Sequence, residues 1–259
     1  MCVSDVSTHC ASLAPLHNES FPHSLLSAMS WSTLYPLPFT LLNLQRPRVI
    51  RVTSWILHGI FRVFGGFRVT GLEHIPTSGP ALLAANHRSW ADPPALRCVI
   101  RRTCWFMGND FLFRIPVLGR LIPMYGAFPV ERGKMDRDAL REAEGHLADG
   151  DLLVIFPEGG TTVTGTLYPF EGGAAMLAIR NDVPIVPVGI TGTDRMLPMK
   201  PPIYPRWARG GVTVTFGPPI HPSDLDPTLP RRARIDALTE KLYAAVAALL
   251  PPEYLPGEE

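Results

Sequence analysis

Twice in this chain an apolar run stops at a compact polar cluster. Ala81-Leu82-Leu83-Ala84-Ala85 runs into Asn86-His87-Arg88-Ser89-Trp90-Ala91-Asp92, and Leu152-Leu153-Val154-Ile155 runs into Phe156-Pro157-Glu158-Gly159. Short apolar runs without polar alternation fit strands covered on both faces, as in a parallel sheet. Polar motifs at the ends of two such strands point to one shared site on a single α/β sheet.

The first cluster carries chemistry in its spacing. His87 and Asp92 lie five positions apart. On an isolated helix such residues point about 140° away from each other. The pair therefore works best if His87 precedes a helix and Asp92 stands in its first turn. A carboxylate aimed at the imidazole holds one tautomer and leaves the other nitrogen to take a proton from an alcohol.

From residue 67 the pattern alternates between strand and helix. Strands are expected at Phe67–Thr70, Ala81–Ala85, residues 103–107, Ala127–Val130, residues 151–156, residues 184–190 and Val212–Phe216. Helices are expected over about 91–101, 111–120, 136–149, 171–181 and 231–250, with Asp136 capping the third. No internal repeat and no linker divides this region.

The N-terminal part reads differently. Residues 1–45 contain no Lys or Arg, and 1–30 are polar and patternless, as in a disordered tail; Met29 stands as an alternative start. Pro36 and Pro38 interrupt the charge-free stretch after Glu19, which argues against a spanning helix. Residues 46–66 mix Trp55, Ile56, Ile60, Phe61 and Val63 with Arg51 and Arg62, the composition of a helix lying in a membrane interface. The expected organisation is thus a tail over 1–45, an interfacial amphipathic helix over 46–66 and an α/β domain over 67–250.

Composition removes several classes. A net charge of +1 gives no bulk attraction to nucleic acid. Cys2, Cys10, Cys98 and Cys104 form no CxxC pair, no His cluster has zinc-ligand spacing, and free thiols are expected. No GxSxG elbow, Walker A loop or dinucleotide glycine fingerprint is present, so Ser89 is not read as a nucleophile.

Taken together, these stretches resemble the glycerolipid acyltransferases, the family of 1-acylglycerol-3-phosphate acyltransferases. The likeness covers about residues 68–222 and rests on four blocks in order. They are Asn86-His87 through Asp92, Gly126-Ala127-Phe128-Pro129-Val130-Glu131-Arg132, Phe156-Pro157-Glu158-Gly159, and Val183-Pro184-Ile185-Val186-Pro187-Val188. A lone His-x-x-x-x-Asp has no weight, whereas the ordered set is specific.

The resemblance implies an α/β fold with a mixed, mostly parallel sheet flanked by helices. It implies His87 as general base, Asp92 as the group that orients it, and Arg132 as a phosphate ligand able to take two oxygens at once. Glu158 and Gly159, with Asn86 and Thr161, are then expected to organise the acceptor site. Two departures stand out. The family's Gly-Thr-Arg-Ser continuation is Gly159-Gly160-Thr161-Thr162 here, and its frequent Phe-Lys-x-Gly is Phe170-Glu171-Gly172-Gly173.

The implied function is O-acyl transfer from acyl-CoA or acyl-carrier protein to 1-acylglycerol-3-phosphate, giving phosphatidic acid. No metal or bound cofactor is expected. The expected partners are the lysophospholipid acceptor, the acyl donor and a membrane surface, with the protein peripheral or monotopic on the cytoplasmic face of the cell membrane. Two alternatives stand beside this: transfer to a head-grouped or ornithine-type lyso-lipid, and a catalytically silent lipid-binding protein.

Overall fold

The structure is a computed structural model that describes residues 47–257 apart from 117, 132–135, 162–164 and 200–204, with the side chains of 47–50 and 124 left out. In chain order the principal elements are α1 (Pro47–Val63), β1 (Phe67–Thr70), β2 (Ala81–Ala85), α2 (Asp92–Arg97), β3 (Cys104–Asn109), α3 (Asp110–Arg114), α4 (Leu118–Leu121), β4 (Ala127–Val130), α5 (Arg137–Ala148), β5 (Leu152–Ile155), α6 (Gly173–Asn181), β6 (Ile185–Thr191), α7 (Thr193–Met196), β7 (Val212–Phe216) and α8 (Arg231–Ala247).

Seven strands make one sheet in the order β1-β7-β6-β2-β5-β3-β4. Every neighbouring pair is parallel except β6 with β7. The expected α/β class with a mixed, mostly parallel sheet is thus the fold observed.

The apolar runs explain the layering. Every residue of β2 and β5 is buried. In β2, Ala81, Leu83 and Ala85 face a core shared with Phe61 of α1 and Leu96 of α2, while Leu82 and Ala84 face one shared with Ala143 of α5 and Leu242 of α8. A strand with apolar side chains on both faces is stable only between two helical layers. By contrast β7 alternates buried and half-buried residues, as its sequence pattern predicts.

β2 lies between β5 and β6, with Ala84 opposite Ile155 and Ala85 opposite Val188. The polar clusters that follow β2 and β5 therefore leave adjacent parallel strands at the same edge, as the shared-site reading requires.

Several boundaries differ from the sequence reading. The helix expected over 111–120 is two short helices, because Ile115 is extended (φ −72°, ψ 124°) before Pro116. Strand β3 runs on to Asn109, and α2 stops at Arg97. The side chain of Asp136 caps α5 as expected, accepting from the backbone N–H groups of Asp138 and Ala139 at 3.1 and 3.0 Å.

Helix α1 is two-sided. Phe61 is buried and stacks on Phe67 (centroids 5.0 Å, planes 22° apart), while Trp55 is 80% exposed and Val52, Ile56, Ile60 and Val63 are exposed with it. Among the described residues no helix is long and apolar enough to cross a membrane. Cys98 and Cys104 are buried, and burial raises their thiols to about 12 and about 11. The tail expected over 1–45, with Cys2 and Cys10, lies outside the described residues.

Candidate active site

The site grows from the end of β2. Asn86 continues the strand with its side chain: its amide N–H donates to the carbonyl of Ile190 at 2.9 Å, and its amide oxygen accepts from the Ile190 N–H at 2.7 Å. Asn86 is one of the expected acceptor-site residues, and here its amide is engaged with Ile190. Its amide is buried and spent on locking the end of β2 to β6, so it acts as a sheet residue.

One residue on, His87 turns into a cavity of about 950 Å³. Its Nδ1 lies 2.8 Å from Oδ2 of Asp92. Asp92 opens α2, so the pair meets from just outside a helix and from its first turn, the arrangement that the five-residue spacing favours. Pro93 and Pro94 follow in that turn, where a missing N–H costs nothing.

Asp92 is 0% exposed, and the same oxygen accepts the backbone N–H groups of Arg88 and Ser89, both at 2.7 Å. These two N–H groups and the imidazole Nδ1 meet at one carboxylate oxygen and fix its direction. The other oxygen, Oδ1, is buried with no hydrogen-bond partner among the described residues.

Glu158, from the cluster after β5, holds the same loop from the other side. Its Oε1 accepts the backbone N–H of His87 at 2.6 Å and its Oε2 that of Tyr168 at 3.0 Å. Burial pushes its carboxyl up to about 7 in spite of these two donors. Phe156 completes the setting by stacking on the His87 ring at 4.1 Å.

Gly159 and Gly160 line the cavity. Gly159 has φ +67°, and a Cβ there would come within 2.5 Å of Oε1 of Glu171, so the carboxylate of Glu171 rests against the glycine backbone. Thr161 is half-buried and is not among the cavity-lining residues. Arg132, the expected phosphate ligand, lies outside the described residues, as does Thr162.

Away from His87 the cavity wall is largely apolar, with Phe106, Met107, Leu112, Ile122 and Leu140 among its residues. Its lining suits a hydrocarbon chain. Ser89 is buried, with its hydroxyl donating to the Leu197 carbonyl at 2.7 Å, so it is structural. Among the described residues no three His, Cys, Asp or Glu side chains gather where they could hold a metal ion.

Sequence reasoning missed two arginines. Arg97, only 4% exposed, lines the cavity and bonds the Ile100 carbonyl at 3.3 Å. Arg88 is folded under the loop against Asp194 at 3.1 Å. Nothing in the sequence separates either from a surface arginine.

Comparison with known proteins agrees with this geometry. The acyltransferase family profile matches residues 66–191. The match takes in the His87–Asp92 loop, Glu158 and Gly159.

This chain is 32% identical over 133 residues to a chloroplastic 1-acyl-sn-glycerol-3-phosphate acyltransferase of Brassica napus, covering 50% of this chain and 38% of that protein. It is 29% identical to a lyso-ornithine lipid O-acyltransferase of Brucella abortus, over 62% of each. The chain thus spans well under half the length of the plant relative. A crystal structure of the 1-acyl-sn-glycerophosphate (LPA) acyltransferase of Thermotoga maritima shares the fold, with a TM-score of 0.59, 24% identity, and coverage of 78% of this chain and 81% of that one.

Proposed function

We propose that this protein transfers an acyl chain from a thioester to the free hydroxyl of 1-acylglycerol-3-phosphate, giving phosphatidic acid. The observation that carries the reading is the His87–Asp92 contact of 2.8 Å beside a cavity of about 950 Å³ with a largely apolar wall. The names of the relatives support it.

With Nδ1 spent on Asp92, proton transfer falls to Nε2. It takes the proton of the acceptor hydroxyl as that oxygen attacks the thioester carbonyl. The tetrahedral adduct expels the thiolate, and the imidazolium returns the proton to the leaving sulfur. Base assistance of this kind contributes about 10²–10⁴-fold. Asp92 stabilises the imidazolium. Arg132 is assigned to the acceptor phosphate by its place in the second family block. The chemistry asks for no metal or bound cofactor.

The donor is assigned as acyl-CoA or acyl-carrier protein, which places the reaction on the cytoplasmic face of the membrane. The exposed Trp55, Ile56 and Val63 beside Arg51 and Arg62 support attachment through α1 as a peripheral or monotopic protein.

One observation favours a second reading. Glu171 puts an acid against Gly159, where the family often has a lysine nearby. This suits an acceptor carrying an amine, such as the lyso-ornithine lipid in the name of the Brucella relative.

One assay decides. Purified protein is given palmitoyl-CoA or palmitoyl-carrier protein with lysophosphatidic acid beside amine-bearing lyso-lipids. Phosphatidic acid as the main product supports the first reading. Exclusive acylation of amine-bearing acceptors supports the second, and no product from any acceptor rejects both.

A further inference from the structure

Beyond the family-matched residues, one side chain reaches back to the catalytic loop. Tyr254 closes a short 3-10 turn, Pro252–Tyr254, and is 3% exposed. Its hydroxyl donates to Oδ1 of Asp194 at 3.1 Å and accepts the backbone N–H of Gly192 at 2.9 Å. Its carbonyl accepts the N–H of Leu167 at 2.8 Å. Its ring carries the guanidinium of Arg88, whose central carbon is 3.9 Å from the ring centroid.

Tyr254 thus ties together three segments that surround the site. They are the loop after β2, the loop after β5 and the start of α7 after β6.

Arg88 depends on this arrangement. Nη2 donates to Oδ2 of Asp194 at 3.1 Å, whereas Nε and Nη1 are buried with no hydrogen-bond partner among the described residues. A buried guanidinium held by one carboxylate and one aromatic face has little else to keep it in place. Its backbone N–H, in turn, is one of the three donors on Oδ2 of Asp92, the oxygen that bonds His87.

We infer that Tyr254 is a positioning residue for the His87–Asp92 pair, acting through Arg88 and Asp194. When the latch opens, the guanidinium must seek water. Residue 88 moves with it, and Asp92 loses part of what directs it at the imidazole. Neither Tyr254, Arg88 nor Asp194 is among the residues lining the cavity. Opening the latch should therefore misalign the base and leave the substrate pocket intact.

The turnover part of this inference rests on the proposed acyl transfer, so its test has two readouts. The first is kcat and KM for Tyr254→Phe, Tyr254→Leu and Asp194→Asn with palmitoyl-CoA and lysophosphatidic acid. Small misplacements of a reacting group cost up to about 10²-fold in rate. Tyr254→Phe keeps the ring beneath Arg88 and should lower kcat about 10-fold with KM nearly unchanged; Tyr254→Leu should lower it further. Because both residues act along one route, Tyr254→Phe with Asp194→Asn should be no slower than the slower single variant.

The second readout needs no turnover. The Nδ1 proton of His87, held on Asp92, gives a downfield proton resonance that is assigned by its loss in His87→Ala. That resonance should shift or broaden in Tyr254→Phe. If wild type acylates nothing, the functional reading fails, and the resonance still decides the latch. Unchanged kcat and an unchanged resonance in folded Tyr254→Phe, with only a lower melting temperature, would show a purely structural tyrosine and overturn the inference.

Discussion

Glu158 holds His87 by its backbone, at 2.6 Å, across a separation of 71 residues. The acid of the third block is thus tied to the histidine of the first. It bridges two adjacent strand ends, accepting from His87 with one oxygen and from Tyr168 with the other. This gives Glu158 a role in placing His87 that is separate from any contact with a ligand.

The raised Glu158 carboxyl has a signed consequence for stability. In the unfolded chain it titrates near 4.5 and in the folded one near 7. Between these values the folded state keeps a proton that the unfolded state gives up, so stability falls as pH rises through the window and levels off above it. The full effect is about 3 kcal/mol. Glu158→Gln should remove this slope, which denaturant unfolding of both proteins across the window would reveal; parallel pH profiles would contradict the assignment.

Asp92→Asn should be nearly as damaging as His87→Ala. The asparagine oxygen can keep the N–H groups of Arg88 and Ser89 and the Nδ1 contact, but it brings no negative charge to stabilise an imidazolium. A loss of about 10²–10⁴-fold in kcat is expected for either, and the double variant should be little worse than the single ones. Steady-state turnover on all three proteins checks this. Activity near wild type in Asp92→Asn would remove the orienting role.

Gly159→Ala should cost both stability and acceptor binding. The left-handed backbone, φ +67°, penalises any Cβ by about 1–2 kcal/mol. The new methyl also meets the Glu171 carboxylate, an obstacle that a second change, Glu171→Ala, takes away. The double variant should recover acceptor KM but not thermal stability. Recovery of both would show that contact with Glu171, and not backbone strain, is the reason for glycine.

Helix α1 offers a membrane test that leaves the His87–Asp92 loop untouched. Trp55 and Ile56 are exposed on it. Replacing both with Glu should weaken co-sedimentation with anionic vesicles by at least about tenfold, the loss expected when one large apolar side chain no longer leaves water. Equal vesicle binding by the variant would place the membrane contact elsewhere.

Where the sequence reading worked, the signal was local. The unbroken apolar runs of β2 and β5 had to be buried on both faces, and the alternation in β7 had to leave one face less covered. Asp136 marked the start of α5 because a short acceptor side chain can satisfy N–H groups within its own turn. The split at Pro116 was equally local, and its signal was the proline itself, which disfavours helical backbone in the residue before it.

The α/β class, the strands that carry the two polar clusters, and the nearness of His87 to Asp92 were legible in the chain, since all of these depend on neighbours within a few residues. What those clusters touch was settled only when the sheet assembled. Asn86 meets Ile190 across 104 residues, Arg88 meets Asp194 across 106, and Glu158 meets His87 across 71. These partners are chosen by the crossovers that set β2 between β5 and β6. Once the sheet is assembled, each buried polar group must find its donor or acceptor among whatever the neighbouring strand ends present.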